Sequence, residues 1–424
     1  MEGETTTDEL SRVSRRRFVS GALGGAVAAS TMVQFGSLGS FLRMAEASAA
    51  TVSPHGPLVL CTLYGGNDGL NTVVPYESGI YRSWRGDLAV PGDQVLPLGS
   101  DGVAKLGFHP SLTGLYELWK QHKVAVISGV EYPHPNFSHF VSQTIWQTAQ
   151  LSGDPAPGWL GRWLDITGTD PFRAISVGPN VPLALAGAKQ QASSVADSTS
   201  AGDQLPGSGG AFTTAYRQMM TTYPGEPRWQ AGQANSGRNL LAVGSKAAAA
   251  CNHEKPPAVA SGRDGGDIGN QLGLVAELIQ YGVPASVYSV SWSSFDTHSD
   301  QAGTHAGLLG SLDAAVQAFM TEFPVAKPGK SPVVLIYSEF GRTPRANASG
   351  GTDHGSAGVV LAVGPAVKGG FYGATPNLGK LGVYGDLVYT TDFRSVYTTV
   401  LESVLGIETP SAVLGGGFSR LGFL

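Results

Sequence analysis

From Ser331 to Gly355 the chain reads SPVVLIYSEFGRTPRANASGGTDHG. Glu339, Arg342, Asp353 and His354 stand here among Gly341, Pro344, Gly350, Gly351 and Gly355. A carboxylate, a guanidinium and an adjacent Asp-His pair suit a divalent cation together with an anion. Upstream, SSFDTHSDQAGTHAG sets Asp296 two residues before His298. In extended backbone these two side chains point to the same side, so one metal can take oxygen from one and nitrogen from the other. His305 remains a further candidate in that stretch. In GGNDGLN, Asn67 and Asp68 are either ligands or an ordinary Asx turn, and on that stretch alone the turn is the simpler reading. Ser138 precedes a helical pattern, where free N–H groups favour an anion. It is either a nucleophile or only an N-cap. His134 and His139 flank it as proton-transfer or ligand groups.

The elements that must position these residues follow from periodicity. Val333–Tyr337 is a short apolar run with no polar break, the pattern of a strand buried on both faces of a parallel sheet. Similar strands are expected over 57–64, 124–128, 172–178, 284–292 and 359–363. Helical spacing predicts helices after His109-Pro110-Ser111, with Leu112, Leu115, Leu118 and Trp119 as its apolar positions, and over 138–149, with Phe140, Ile145 and Trp146. Further helices are expected over 268–281, 307–323 and 392–405. The chemistry-bearing residues fall just after strands, where loops converge at the carboxyl edge of an open α/β sheet. Residues 75–103 read as loop-rich and 365–385 as loop. Residues 187–265 are rich in Ala, Gly, Ser and Gln with no strong strand, and read as an insertion over the active face with helices near 213–223 and 236–250.

Bulk composition narrows the classes. The chain has 424 residues with 42% hydrophobic content, enough for a large core. Charged residues are only 14%, below the ~25% typical of globular proteins. The net charge of -5 and the lack of a basic stripe argue against nucleic acid as partner. Two cysteines make no disulfide framework; Cys61 sits in an expected central strand and reads as free and buried.

Ser14-Arg15-Arg16-Arg17-Phe18 precedes a Gly/Ala-rich, mildly apolar segment ending in the overlapping A-x-A sites of Ala45–Ala49. This resembles a twin-arginine export signal over 1–49, leaving 50–424 as one α/β domain. Gly, Ser, Thr and Gln dilute the segment, so it scores poorly as a span of ~20 apolar residues. Retention as an anchor stays open. The implied location is the periplasm, cell wall or exterior.

LYGGNDGLN, HPNFSHFVSQTIWQT, SFDTH, SEFGRTP and GTDHG, in that order behind the twin-arginine start, resemble the domain of unknown function 1501 family within the alkaline phosphatase-like (sulfatase-like) superfamily. The resemblance covers essentially the whole mature chain. It implies a three-layer α/β/α sandwich with a mostly parallel sheet, and divalent metal ions, zinc or a similar ion, one or two per chain. Asp68, Ser138 and Glu339 would hold one metal, and Asp296, His298 and His354 the other, with Asp353 beside them. Ser138 would be the nucleophile, Arg342 an oxyanion clamp, and His139 a catalytic or substitute ligand group. Glu339-Phe340 replaces the usual Asp-His of the superfamily, so the second site lacks its imidazole. The context of Ser138 does not reproduce the C/S-x-P-x-R motif of sulfatases, which places phosphate esters ahead of sulfate esters. The resemblance therefore implies an exported hydrolase or transferase of such esters. The alternative is a non-catalytic scaffold with a structural metal that binds an exported envelope partner.

Overall fold

In the computed structural model, residues 55–424 are described except 153–155, 179, 196–216, 227–229, 233, 236, 239–267 and 328; before them only 34, 35, 42, 45 and 53 are. The export motif around Arg15–Arg17, the helix expected over 236–250 (in all but two residues), and Cys251 thus lie outside the described residues.

A ten-stranded sheet carries the fold. Its strands are β1 (Gln34–Phe35), β2 (Leu58–Leu63), β6 (Val124–Glu131), β7 (Ala174–Val177), β8 (Ser193–Val195), β9 (Val287–Trp292), β10 (Val333–Tyr337), β13 (Gly358–Val363), β14 (Gly370–Gly373) and β15 (Thr391–Asp392). A separate small sheet joins β3 (Val73–Val74), β4 (Leu96–Ser100) and β5 (Lys105–Phe108), and β11 (Gly341–Arg342) pairs with β12 (His354–Gly355). The main order is β1-β8-β7-β9-β2-β10-β13-β6-β14, with β15 also on β6. Only β13 runs against its neighbours, antiparallel to β10 and to β6. The expected mixed α/β class with a mostly parallel sheet is what the chain adopts.

Side chains alternate across the sheet, as the two-residue strand period requires. Val59, Cys61 and Leu63 of β2, with Val334 and Ile336 of β10, bury into one apolar layer. Leu58, Leu60, Val333, Leu335 and Tyr337 bury into the other. The first layer is closed by helices α3 (Thr113–Lys120), α6 (Ile268–Tyr281) and α7 (Gln301–Thr321); the second by α4 (His139–Thr148), α5 (Trp159–Thr167) and α8 (Phe393–Ser403). Both faces being covered explains why β10 is an unbroken apolar run and β2 nearly one. Cys61 is free and buried, as expected.

Several local expectations need correction. Residues 75–103 are not loop throughout, since β4 and the helix α2 (Gly79–Arg85) fall inside them. The region 365–385 contains β14, which pairs parallel to β6. The 187–265 stretch contributes β8, a strand of the main sheet paired with β7. Its sequence, SSV, is too short to show a period. Phe140, expected on the buried side of α4, is 85% exposed. No helix among the described residues is long and apolar enough to cross a membrane.

The first layer has a polar joint. Asp313 on α7 accepts from the free N–H groups of Gly114 (2.8 Å) and Leu115 (2.7 Å) at the start of α3. It caps a neighbouring helix that has no side-chain cap of its own. Asp313→Ala leaves those buried donors unpaired and should lower unfolding free energy by about 1–3 kcal/mol in a denaturant titration. An unchanged midpoint would deny the capping role.

Candidate metal centre

Three loops at the carboxyl ends of adjacent strands build the centre: residues 64–68 after β2, 293–300 after β9 and 338–357 after β10. Glu339 ties them together. It is 1% exposed. Its carboxylate accepts from Gly65 N (3.0 Å), Gly66 N (3.3 Å), Ser338 Oγ (2.9 Å), His139 Nδ1 (2.8 Å) and Gln143 Nε2 (3.1 Å). Burial pushes its pKa up, but the His139 hydrogen bond and the other donors outweigh it and hold the group below its ordinary value. His139, Ser142 and Gln143 lie at i, i+3 and i+4 of α4, so one helical face turns all three toward Glu339; the Ser142 hydroxyl donates to the Glu339 carbonyl.

Above this joint three imidazoles converge on Asp296. His139 Nδ1 meets Glu339 at 2.8 Å, His354 Nδ1 meets the Phe137 carbonyl at 2.7 Å, and His298 Nδ1 meets Asp353 Oδ1 at 3.0 Å. Each of these partners can only accept, because Glu339 and Asp353 are held ionised, Asp353 chiefly by Asn347 and His298. Every Nδ1 therefore carries the hydrogen, and in the neutral ring every Nε2 presents a lone pair. Those atoms face Asp296: His298 Nε2 at 3.0 Å, His354 Nε2 at 3.1 Å and His139 Nε2 at 3.4 Å. The ligand atoms of His139, Asp296 and His354 all lie within 4.8 Å of one another.

This donor set fits a divalent cation. His139 Nε2 is buried and makes no hydrogen bond although it points at the carboxylate. His298 Nε2 and His354 Nε2 stand 2.9 Å apart, a contact in which two lone pairs repel unless a proton or cation is shared. Imidazoles anchored through Nδ1 to carboxylate or carbonyl, with a carboxylate completing the group, are the usual surroundings of zinc-like ions. Asp296 has a pKa lowered to about 2: burial acts to raise it, but the Arg342 guanidinium prevails. Burial lowers that of His354, so at neutral pH this ring needs no proton removed before it can ligate.

The other expected residues are placed differently. Asp68 does not join the group. It is fully buried, and Arg85 holds both its oxygens, with the Nη2 contact at 2.9 Å. Gln301 donates to it, and it caps α1 (Gly69–Thr72) through the Asn71 N–H. Arg342 is also buried and does not offer an open clamp. Its guanidinium engages the carbonyls of Gly65, Gly66 (2.7 Å), Phe295 (3.0 Å) and Thr352 (2.8 Å) and Asp296 Oδ1 (2.7 Å). It positions Asp296. Glu339, its oxygens already engaged, supports His139. The second metal set of Asp68, Ser138 and Glu339 is thus not assembled, and the Arg85 guanidinium supplies the positive charge beside Asp68. Ser138 occupies the N-cap position of α4 but makes no capping hydrogen bond, and it is exposed. It lies between Phe137 and His139, both of which contact the centre. His305 is buried elsewhere, with Nε2 2.9 Å from Asn67 Oδ1.

Sequence reasoning missed Arg85, Ser142, Gln143 and Gln301. The signal for two of them was present, since His139, Ser142 and Gln143 follow the i, i+3, i+4 spacing of one helical stripe that continues to Trp146. Arg85 and Gln301 carry no local pattern that names Asp68 as their partner.

Fold and site define a three-layer α/β/α protein with a His-Asp centre on the carboxyl edge of its parallel strands. The chain belongs to the family described as "Protein of unknown function (DUF1501)", which it matches over residues 119–404. No curated protein matches it. Among solved structures it is similar to the C-terminal periplasmic domain of EcEptC from Escherichia coli in complex with Zn: 11% identity, 74% of each chain covered, TM-score 0.34. It is also similar to a protein in the alkaline phosphatase superfamily from Vibrio parahaemolyticus: 10% identity, 93% of this chain and 77% of that one, TM-score 0.37. A third is Streptococcus pyogenes phosphoglycerol transferase GacH in complex with sn-glycerol-1-phosphate: 8% identity, 89% and 82% covered, TM-score 0.36.

Two outcomes separate these roles. Asp68→Asn leaves the buried Arg85 charge poorly compensated and should cost about 3–5 kcal/mol of stability, while bound metal per folded chain stays the same. Lost metal in a stable variant would restore Asp68 as a ligand. His305 has its pKa lowered to about 4, chiefly by burial. The unfolded chain, titrating near 6.5, therefore binds the extra proton first. His305 contributes its full share of stability above about pH 6.5 and loses it as pH falls toward 4. Urea titrations in chelator should show that loss, and His305→Asn should flatten the slope in that window.

Proposed function

We propose that this chain is an exported hydrolase or transferase of phosphate esters, with sulfate esters second, that works with one divalent cation. The observation that carries the reading is the set of three imidazoles, each fixed through Nδ1 and presenting Nε2 to Asp296. Asp296, His139 and His354 would hold the ion, zinc or a similar one, and His298, 3.0 Å from the same carboxylate, completes the set. When bound, the cation polarises an ester oxygen and offsets charge developing in the transition state.

The chain's own residues supply the rest. Ser138, exposed and uncapped beside the centre, is the nucleophile. Its Oγ forms a bond to phosphorus as the bond to the alcohol oxygen breaks, and the serine proton leaves with the alcohol. Water or an acceptor hydroxyl then releases the phosphoryl group from Ser138. The free N–H groups at the start of α4 favour the anion. Arg342 keeps Asp296 ionised and in place, and Glu339 keeps His139 in the tautomer that leaves Nε2 open. The engagement of Asp68 and Glu339 within the protein supports one ion rather than two. Export rests on the Arg15-Arg16 motif and its A-x-A sites.

The full engagement of Arg342 and Glu339 favours a second reading. In it the metal is structural and the same face binds an exported partner protein.

Elemental analysis of the folded protein should find one divalent ion per chain, absent from Asp296→Ala. Ser138→Ala should keep the ion and lose turnover of a phosphate ester by roughly 10³-fold or more. An Asp296→Ala/His354→Ala variant that retained both metal and turnover would end the catalytic proposal. Metal bound with no turnover and no competition by vanadate would move the assignment to the structural reading.

A further inference from the structure

The three most exposed large apolar side chains among the described residues are Val383 (97%), Phe140 (85%) and Tyr384 (84%). They are not scattered. The Tyr384 ring stands edge-on to the Phe137 ring, centroids 6.5 Å apart at 90°. The Phe137 carbonyl accepts from His354, and Phe140 follows His139 directly in α4. The exposed apolar groups thus flank the two residues on either side of Ser138.

Val383 and Tyr384 are also held out deliberately by the backbone. They form the tip of a hairpin closed by an antiparallel bridge between Leu381 and Leu387, with Gly382 N donating to the Asp386 carbonyl at 2.8 Å and Gly385 N to the Gly382 carbonyl at 3.1 Å. Gly385 takes φ +82, a conformation that L side chains rarely adopt. Leu381 and Leu387 pack into the small cluster with Leu378, anchoring the base. Exposed apolar groups beside a polar centre mark a binding surface.

We infer that this rim binds the organic part of the substrate, so that the ester is one of an aromatic or otherwise apolar alcohol rather than of a sugar or glycerol. The inference rests on the proposed ester chemistry at the metal centre and adds its substrate class. The metal end takes the phosphoryl oxygens. The hairpin tip and Phe140 take the alcohol residue as its bond to phosphorus breaks, and desolvating that apolar group against aromatic rings supplies binding without any charge.

The test is calorimetric binding of inorganic phosphate, methylphosphonate and phenylphosphonate to the metal-loaded full chain. Phenylphosphonate should bind roughly tenfold tighter than methylphosphonate, one aromatic ring's worth of partial burial. Val383→Ser/Tyr384→Ser should bring that ratio close to one, and Phe140→Ser should reduce it separately; all three side chains are exposed, so folding is not at stake. Equal binding of both phosphonates by the wild type would overturn the inference and leave the ester chemistry standing. Preserved preference in the variants would overturn the rim assignment. Binding of neither phosphonate nor phosphate would overturn the ester reading itself, and the inference with it.

Discussion

The buried carboxylate of Glu339 is the constraint on which the site depends. An ionised group at 1% exposure is costly unless its oxygens are met. Here they are met from three directions: the β2 loop through Gly65 and Gly66, its own loop through Ser338, and α4 through His139 and Gln143. The need to satisfy one charge thereby fixes the distance between a sheet edge and a helix. His139 is oriented as a by-product, because the nitrogen that answers Glu339 leaves the other directed at Asp296.

Arg342 plays the complementary part beneath the β9 loop. A fixed guanidinium at the carbonyls of Gly65, Gly66, Phe295 and Thr352 locks three loops together and sets Asp296. Arg85 does the same for Asp68. Two buried guanidinium groups thus supply permanent positive charge beneath the strand ends, and they need no cation to be captured for the protein to fold. The His-Asp group above is left with donors that could hold an ion.

Much of the scaffold was legible because it obeys short periods. The apolar runs at Leu58–Leu63 and Val333–Tyr337 announce strands covered on both faces, and helical spacing marked Ile268–Tyr281 to the residue. The short pieces escaped, since Ser193–Val195 and Gly370–Gly373 are held by their neighbours rather than by their own pattern. In the site, the gathering of Asp296, His298 and His354 after strands was legible, whereas the partners of Asp68 and Arg342 were not. Whether a carboxylate meets a metal or an arginine depends on what α2, 17 residues further on, brings to it. No local spacing carries that information. Ser138 and Asp68 show the same limit in reverse: both occupy cap positions, but only Asp68 caps.

The single antiparallel strand has a consequence for how this architecture can diversify. Since β13 returns alongside β10, residues 338–357 leave and re-enter the sheet at the same edge. The whole excursion, with Glu339 on one leg and His354 on the other, is an insertion into a hairpin rather than a crossover. Lengthening such an excursion adds only slowly to closure entropy and shifts no strand register. Between the fixed points Glu339, Arg342 and His354, the length of this excursion can therefore vary while the ten-stranded frame is kept.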